Sequence, residues 1–301
     1  MKIYSYSKVK DSAWGGGNQF LKALQFELKR QNACAETIRE ADTVIFNGYR
    51  EMWALVRFWI FHRPQKRVYR LGPILSLHRR GLRWKIIDRQ VVWVANLFAD
   101  LVVFQSDWSY RQALRLGFSP MKRFVIIHNA VDGSIFFKKK WRDMPASDPI
   151  KLIYTSWSAN VKKGFGYLSF LDKNLDFNKY QFTFIGNSPV SFENIKIEAS
   201  VPSKDLAERL RAHDIFISPV EDDACSNALL EGLACGLPVV ATNSGGNAEI
   251  VGEAGVLFND KKELITLVDK VAGNLKFYYD LISTRTISEA AKEYIEAIKK
   301  L

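Results

Sequence analysis

The chain has 301 residues, enough for two α/β domains of roughly 150 residues each with a sizeable core. Its three cysteines, Cys34, Cys225 and Cys235, show no paired spacing, which speaks against a disulfide-stapled scaffold and suits reduced, cytosolic thiols. A formal net charge of +11 calls for anionic partners: nucleic acid, acidic lipid headgroups or phosphate-bearing substrates.

Residues 2–6 read as a first strand that follows directly on Met1, so no secretory leader is expected. The run Gly15-Gly16-Gly17 comes next, then a helix over 18–30 with Phe20, Leu21, Leu24 and Leu28 at helical spacing. Glycines between a strand and a helix let backbone amides approach a phosphate, aided by the helix's positive end, which makes Gly16 and Gly17 candidate anion binders. Residues 41–46, 99–106 and 124–128 are further strands. The apolar runs 52–61 and 91–104 fall short of the roughly 20 residues a membrane span needs, and they read as core helix or strand.

From Arg50 to Gln90, eleven bases stand against two acids, Glu51 and Asp88, with Trp53, Phe58, Trp59, Phe61 and Trp84 interleaved. Arg63, Lys66, Arg67, Arg70, Arg79, Arg80, Arg83 and Lys85 form the candidate patch for an acceptor or an anionic membrane. A nucleic-acid backbone and a merely soluble basic face are the competing readings. The polar stretch 143–149, with two prolines, reads as a linker.

In the second half, 150–155, 182–186 and 195–198 read as strands, and a helix follows Val201-Pro202 as far as His213. The apolar run 214–220 is a buried strand, and a loop carrying Glu221, Asp222 and Asp223 follows. Ser226 or Asn227 caps a helix whose apolar face is Leu229, Leu230, Leu233 and Ala234. Gly236 suits its left-handed stop, with Pro238 just beyond. Residues 237–242 form the next strand, and Ser244-Gly245-Gly246 opens another helix. This order belongs to a parallel α/β sheet, in which ligands sit at the carboxyl ends of strands. Terminal helices are expected over 264–275 and 288–301. His62, His78, His128 and His213 show no metal-ligand spacing, no Asp-x-Asp stands in a loop, and no metal is expected.

The segment from Asp223 through Glu231, with the Gly-Leu-Pro-Val strand entry and the Gly-Gly-x-x-Glu turn in register, resembles the donor site of retaining GT-B glycosyltransferases of family 4, the glycosyl transferases group 1. Asp223 stands where Glu is more usual. Residues 129–136, Asn-Ala-Val-Asp-Gly-Ser-Ile-Phe, resemble the passage by which that family leaves its first domain. The resemblance implies an α/β chain of two Rossmann-like parallel-sheet domains facing across a cleft. They would be 1–145 on the acceptor side, 146–280 for the nucleotide sugar, and a helix 281–301 packing back on the first.

It also implies a cytoplasmic enzyme, peripheral on the membrane face, that moves a sugar with retention from a UDP- or GDP-sugar to a glycan or lipid-linked acceptor, in cell-surface polysaccharide or glycolipid synthesis. No cofactor is expected beyond that donor substrate. Carried over by position, Glu231 holds the ribose diol and Asp223 the sugar hydroxyls. Gly245, Gly246 and the backbone at Asn247 border the sugar and phosphates, beside Ser226 and Asn227. Lys163, with the Gly16 and Gly17 amides, meets the diphosphate. Ser158 stands where the family carries Arg, so its hydroxyl and the Asn160 amide take over phosphate contacts with less charge. Val201 and Pro202 lie where the backbone meets the nucleobase. No general base is assigned, because a phosphate oxygen of the leaving group can take the acceptor's proton. Two alternatives stay open on the same fold: a non-catalytic basic scaffold or nucleic-acid binder, which the departures at Ser158 and Asp223 support, and an NDP-sugar epimerase, which the transferase's acid spacing disfavours. Nucleic acid is not the expected partner.

Overall fold

The computed structural model describes residues 1–9, 16–61, 65–138, 140–141 and 149–301. Arg63 of the candidate patch, His62, Gly15 and residues 143–148 of the expected linker lie outside them. The chain divides into two compact units. Asn18–Asn129, the strand before them and Thr286–Leu301 make the first, whereas Gly16, Gly17 and Ala130–Arg285 belong to the second.

The first unit runs β1 (Ile3–Ser5), α1 (Gly16–Arg30), β2 (Thr43–Asn47), α2 (Met52–Phe61), β3 (Lys66–Arg70), α3 (Leu75–His78), α4 (Leu82–Phe98), β4 (Leu101–Phe104), α5 (Asp107–Arg115) and β5 (Phe124–Ile126). Its sheet is parallel throughout, in the order β1-β2-β3-β4-β5. Strands buried on both faces read as continuous apolar runs, as Val44, Ile45 and Phe46 do on β2 and Leu101 to Phe104 on β4. Phe58 of α2 and Val91, Val94 and Ala95 of α4 pack in the same core cluster.

The second unit runs β6 (Ile150–Ser156), α6 (Phe165–Asn174), β7 (Tyr180–Gly186), β8 (Lys196–Glu198), α7 (Ser203–Leu210), β9 (Ile215–Ser218), α8 (Asn227–Ala234), β10 (Val239–Thr242), α9 (Asn247–Val251), β11 (Gly255–Phe258), α10 (Leu264–Ala272) and α11 (Leu275–Leu281). The last helix, α12 (Ile287–Lys299), returns to the first unit. The six-stranded parallel sheet has the order β11-β10-β9-β6-β7-β8. From β6 the chain builds outward through β7 and β8, then crosses to the other side of β6 to lay down β9. The switch point therefore lies between β6 and β9, and in open α/β sheets ligands bind in the crevice outside the carboxyl ends of strands at such a point.

Candidate active site

Between Ile150 and Arg285, every donor-site residue expected from the sequence, Glu231 apart, sits at the carboxyl edge of the six-stranded sheet. Ser158, Asn160 and Lys163 follow β6, and Val201 and Pro202 follow β8. Asp223, Ser226 and Asn227 follow β9, and Gly245 to Asn247 follow β10. The two loops at the switch point are clamped together. Lys163 Nζ lies 3.0 Å from Asp223 Oδ2, and Lys162 Nζ lies 2.9 Å from Glu221 and 3.0 Å from Asp222. The Glu221 amide donates to the Lys162 carbonyl at 2.8 Å, and the Tyr167 hydroxyl to the Glu221 carboxylate at 3.2 Å. Burial works against the charge on Lys163, but the adjacent Asp223 carboxylate outweighs it and holds the ammonium above its usual range. The cation stays charged. Tyr154, buried in the core, donates to the Lys163 carbonyl at 3.0 Å and fixes the backbone beneath it.

The acid loop is shaped by what lies behind it. Asn247 is fully buried, and its amide donates to the Val220 carbonyl at 3.0 Å and the Thr242 carbonyl at 3.1 Å. The Thr242 hydroxyl donates to the same Val220 carbonyl. The side chain of Asn247 is thus a pin joining β10 to the acid loop. Gly245 shows why a glycine stands in the turn. Its φ is +64°, and a Cβ there would lie 2.2 Å from the Asp223 carbonyl oxygen. With only a hydrogen present, the Gly246 amide can donate to that carbonyl at 2.9 Å.

Gly16 and the N-terminus of α8, both in the second unit, stand beside this loop. The Ser226 hydroxyl caps α8, accepting from the Leu229 amide. Gly16, the first residue of α1, approaches Asn227, the first of α8, so closely that a Cβ on it would lie 2.4 Å from Asn227 Cβ. The positive end of α8, with the Gly16 backbone against it, suits a phosphate. On the β6 side, Ser158 Oγ accepts from the Asn160 amide at 3.2 Å and Asn160 Oδ1 from the Lys162 amide at 2.9 Å. Both side chains therefore shape their own loop.

Glu231 lies on α8 and forms no side-chain hydrogen bond or ion pair among the described residues, and burial pushes its carboxyl up to about 8. Val201 and Pro202, at the start of α7, stand by the outermost strand, three strands from β9. Lys162, Glu221 and Asp222 were not singled out in the sequence. The signal was there as charge complementarity, two lysines ending one loop and three acids opening the next, and it needed the β6–β9 pairing to become visible.

The basic patch requires correction. Arg70 is buried, 3% exposed. Its guanidinium donates at 2.7 Å to Asn47 Oδ1 and at 2.7 Å to Asn129 Oδ1, and lies over the Phe20 ring. Arg67 is held by both oxygens of Asp100, at 2.8 and 2.6 Å. Both sit on β3, where side chains point into the unit's interior or against its neighbours, so neither supplies free surface charge. Lys66, Arg79, Arg80, Arg83 and Lys85 are exposed. Among the described residues no three His, Cys, Asp or Glu side chains are grouped to hold a metal ion.

Comparison with known proteins agrees with this architecture. Residues 168–274 match the family model described as glycosyl transferases group 1. That stretch holds Asp223, Glu231 and the Gly245–Gly246 turn but not Lys163. The crystal structure of Anabaena HepE in complex with UDP-glucose superposes with a TM-score of 0.76 at 16% identity, covering 100% of both chains. Sucrose-phosphate synthase from Thermosynechococcus elongatus gives 0.70 at 13% identity, over 98% of this chain and 94% of that one. Among curated proteins, an uncharacterized 41.2 kDa protein in the cps region of Klebsiella pneumoniae is 24% identical over 234 residues, 72% of this chain. The sulfoquinovosyl transferase SQD2 of Arabidopsis thaliana is 27% identical over 131 residues, 38% of this chain. The matches span 64% and 24% of those relatives, less than two thirds of either. The chain thus has the GT-B fold of two parallel-sheet units, and within its second unit residues 168–274 resemble the glycosyl transferases group 1.

Proposed function

We propose that the protein transfers a sugar, with retention of configuration, from a UDP- or GDP-sugar to a glycan or lipid-borne acceptor, working in the cytoplasm and peripherally at the membrane. The observation that carries this reading is the Lys163–Asp223 pair at the switch point, with Gly16 against the N-terminus of α8 in the same unit. On donor binding, diphosphate oxygens replace the carboxylate on Lys163, and Asp223 is released to accept hydrogen bonds from the sugar's hydroxyls. The bond from the anomeric carbon to the leaving phosphate breaks, and the acceptor oxygen bonds to that carbon on the same face. The acceptor's proton passes to a phosphate oxygen of the leaving nucleotide. Lys163 and the helix amides offset the charge that develops there. HepE's complex with UDP-glucose makes that donor the first to try, and the Klebsiella relative's cps region favours a surface polysaccharide as product.

The test is hydrolysis of UDP-glucose, UDP-N-acetylglucosamine and GDP-mannose without acceptor, followed by nuclear magnetic resonance of the anomeric configuration of a trapped product. Asp223→Ala lowers turnover by about 100-fold or more if the carboxylate orients the sugar. A folded protein that neither binds nor cleaves any nucleotide sugar overturns the proposal and favours a basic scaffold.

A further inference from the structure

The exposed faces of α2 and α4 form a single surface in which apolar side chains and bases are sorted. On α4, Leu82, Ile86, Trp93 and Leu97 recur at helical spacing along one side, with Leu82 72% and Trp93 53% exposed. The opposite side, Val91, Val92, Val94 and Ala95, is buried. On α2 the outward row is Trp53, Ile60 and Phe61, with Phe61 74% exposed, opposite the buried Met52, Leu55 and Phe58. Ring contacts join the two helices at both ends. Tyr49, just before α2, meets Trp84 near the start of α4 at 6.3 Å. Trp59 meets Phe98 at 5.2 Å near their ends, and Phe98 meets the outward Trp93 at 5.9 Å. The helices therefore run side by side in one direction. Other large exposed apolar residues, such as Phe26, Met121 and Val190, lie on separate elements, and α11 exposes only the pair Phe277 and Leu281. Contiguous exposed apolar surface of this kind marks an interaction site.

The bases say what it meets. Arg50, Arg79, Arg80, Arg83 and Lys85 gather at the end where the helices start, and Arg57 and Arg89 lie within the apolar rows. Arg79 and Arg83 both lie over the Trp84 ring, 4.3 and 4.6 Å from its centroid. Both acids of the 50–90 segment are engaged elsewhere. Asp88 is buried, accepting from the Leu75 and Ser76 amides at 2.9 and 2.8 Å. Glu51 accepts from the Ser7 hydroxyl and the Asn47 amide, both at 2.7 Å. A two-fold contact between copies would set this single-sign face against itself. A nucleic-acid strand would satisfy the bases and leave Leu82, Ile86 and Leu97 facing water.

We propose that the α2–α4 face is a monotopic docking surface for an anionic lipid bilayer, with Trp53, Phe61, Trp93 and Leu97 entering the headgroup boundary and the bases pairing with lipid phosphates. This deepens the reading of a lipid-borne acceptor but is tested without donor or acceptor. Because it is read on vesicles alone, its failure leaves the transferase reading standing, and loss of activity leaves it standing in turn.

The experiment is co-sedimentation of the full chain with vesicles of phosphatidylcholine, alone or with about a third phosphatidylglycerol, at low and at about 0.5 M salt. The wild type binds the anionic vesicles at least about tenfold more strongly than the neutral ones, since each base near such a surface contributes on the order of 1 kcal/mol. Arg80→Gln with Lys85→Gln weakens that binding by about 30-fold. Trp93→Ser with Leu97→Ser releases the protein at high salt, where the wild type stays bound. All four positions are exposed, so an unchanged Tm checks the fold of both variants. Three results overturn the proposal: no preference for anionic vesicles, binding to generic RNA or DNA in place of vesicles, or a dimer abolished by Trp93→Ser with Leu97→Ser in a protein that ignores vesicles.

Discussion

Glu231 and Lys162 show two ways in which single side chains tune this site. The Glu231 carboxyl has a folded pKa of about 8, above the ordinary carboxylate value, because burial disfavours its charge. Between the unfolded and folded values, the folded state keeps a proton that the unfolded chain releases. Its contribution to stability is therefore full below the unfolded pKa and is lost as pH rises through the folded one. We expect wild-type Tm to fall from about pH 5 toward pH 8, and Glu231→Gln to flatten that slope, as scanning calorimetry across the range will read. An unchanged slope means Glu231 is ionised in the folded protein. Lys162 acts through other residues, bridging Glu221 and Asp222 and so setting where Asp223 begins. These pairs are partly solvated and worth at most about 1 kcal/mol to stability. Lys162→Met should raise the donor KM several-fold with little change in Tm, and Lys162→Arg should restore it. Equal loss of KM and Tm would mean that the pair is merely structural.

At the level of elements, the stretch from β9 to α9 was legible because each of its signals is local. The apolar run 215–218, the Ser226 cap, the end of α8 at Ala234 before Gly236 and the strand after Pro238 all stand where short-range rules put them. The helix expected over 264–275 is α10, which stops at Ala272 before Gly273 and Asn274, and α11 beyond them was not expected. The strand β3 was not legible. Three of its five residues are basic, and a central parallel strand is ordinarily apolar. Only Asp100, Asn47 and Asn129, distant in sequence, make Arg67 and Arg70 tolerable there. The Gly245 turn gives the sharpest test at this scale. Gly245→Ala places a methyl against the Asp223 carbonyl at a positive φ, at a cost of about 1–3 kcal/mol. It should lower Tm and weaken nucleotide-sugar binding together, as thermal-shift titration with UDP-glucose will read. A variant of wild-type Tm and affinity would show that the turn relaxes freely.

At the scale of the whole molecule, α12 brings the end of the chain back to the first unit. Its Ala290, Ala291, Tyr294 and Ile298 are buried, and Arg123 donates to the Lys300 carbonyl at 3.2 Å. A capping box starts it, the Thr286 hydroxyl and the Glu289 carboxylate each serving the other's amide. Thr286→Ala should cost about 1 kcal/mol, expressed in the unfolding of the first unit rather than the second. Urea denaturation followed by hydrogen exchange separates the two, and protection lost first in β6 to β11 would contradict the assignment.

The amino-acid sequence alone determined the parallel α/β class, the identity of the acid-bearing loop and its helix, and the excess of positive charge between Arg50 and Gln90. Those follow from periodicity, capping and composition, which act within a few residues. Tertiary structure alone decided which charges stay on the surface, since Arg70 and Lys85 look alike until the sheet closes over one of them. It also decided that Lys163 meets Asp223, sixty positions on. That contact exists because β9 pairs with β6 across the switch point, and strand order is set by packing over the whole unit, which no local pattern encodes.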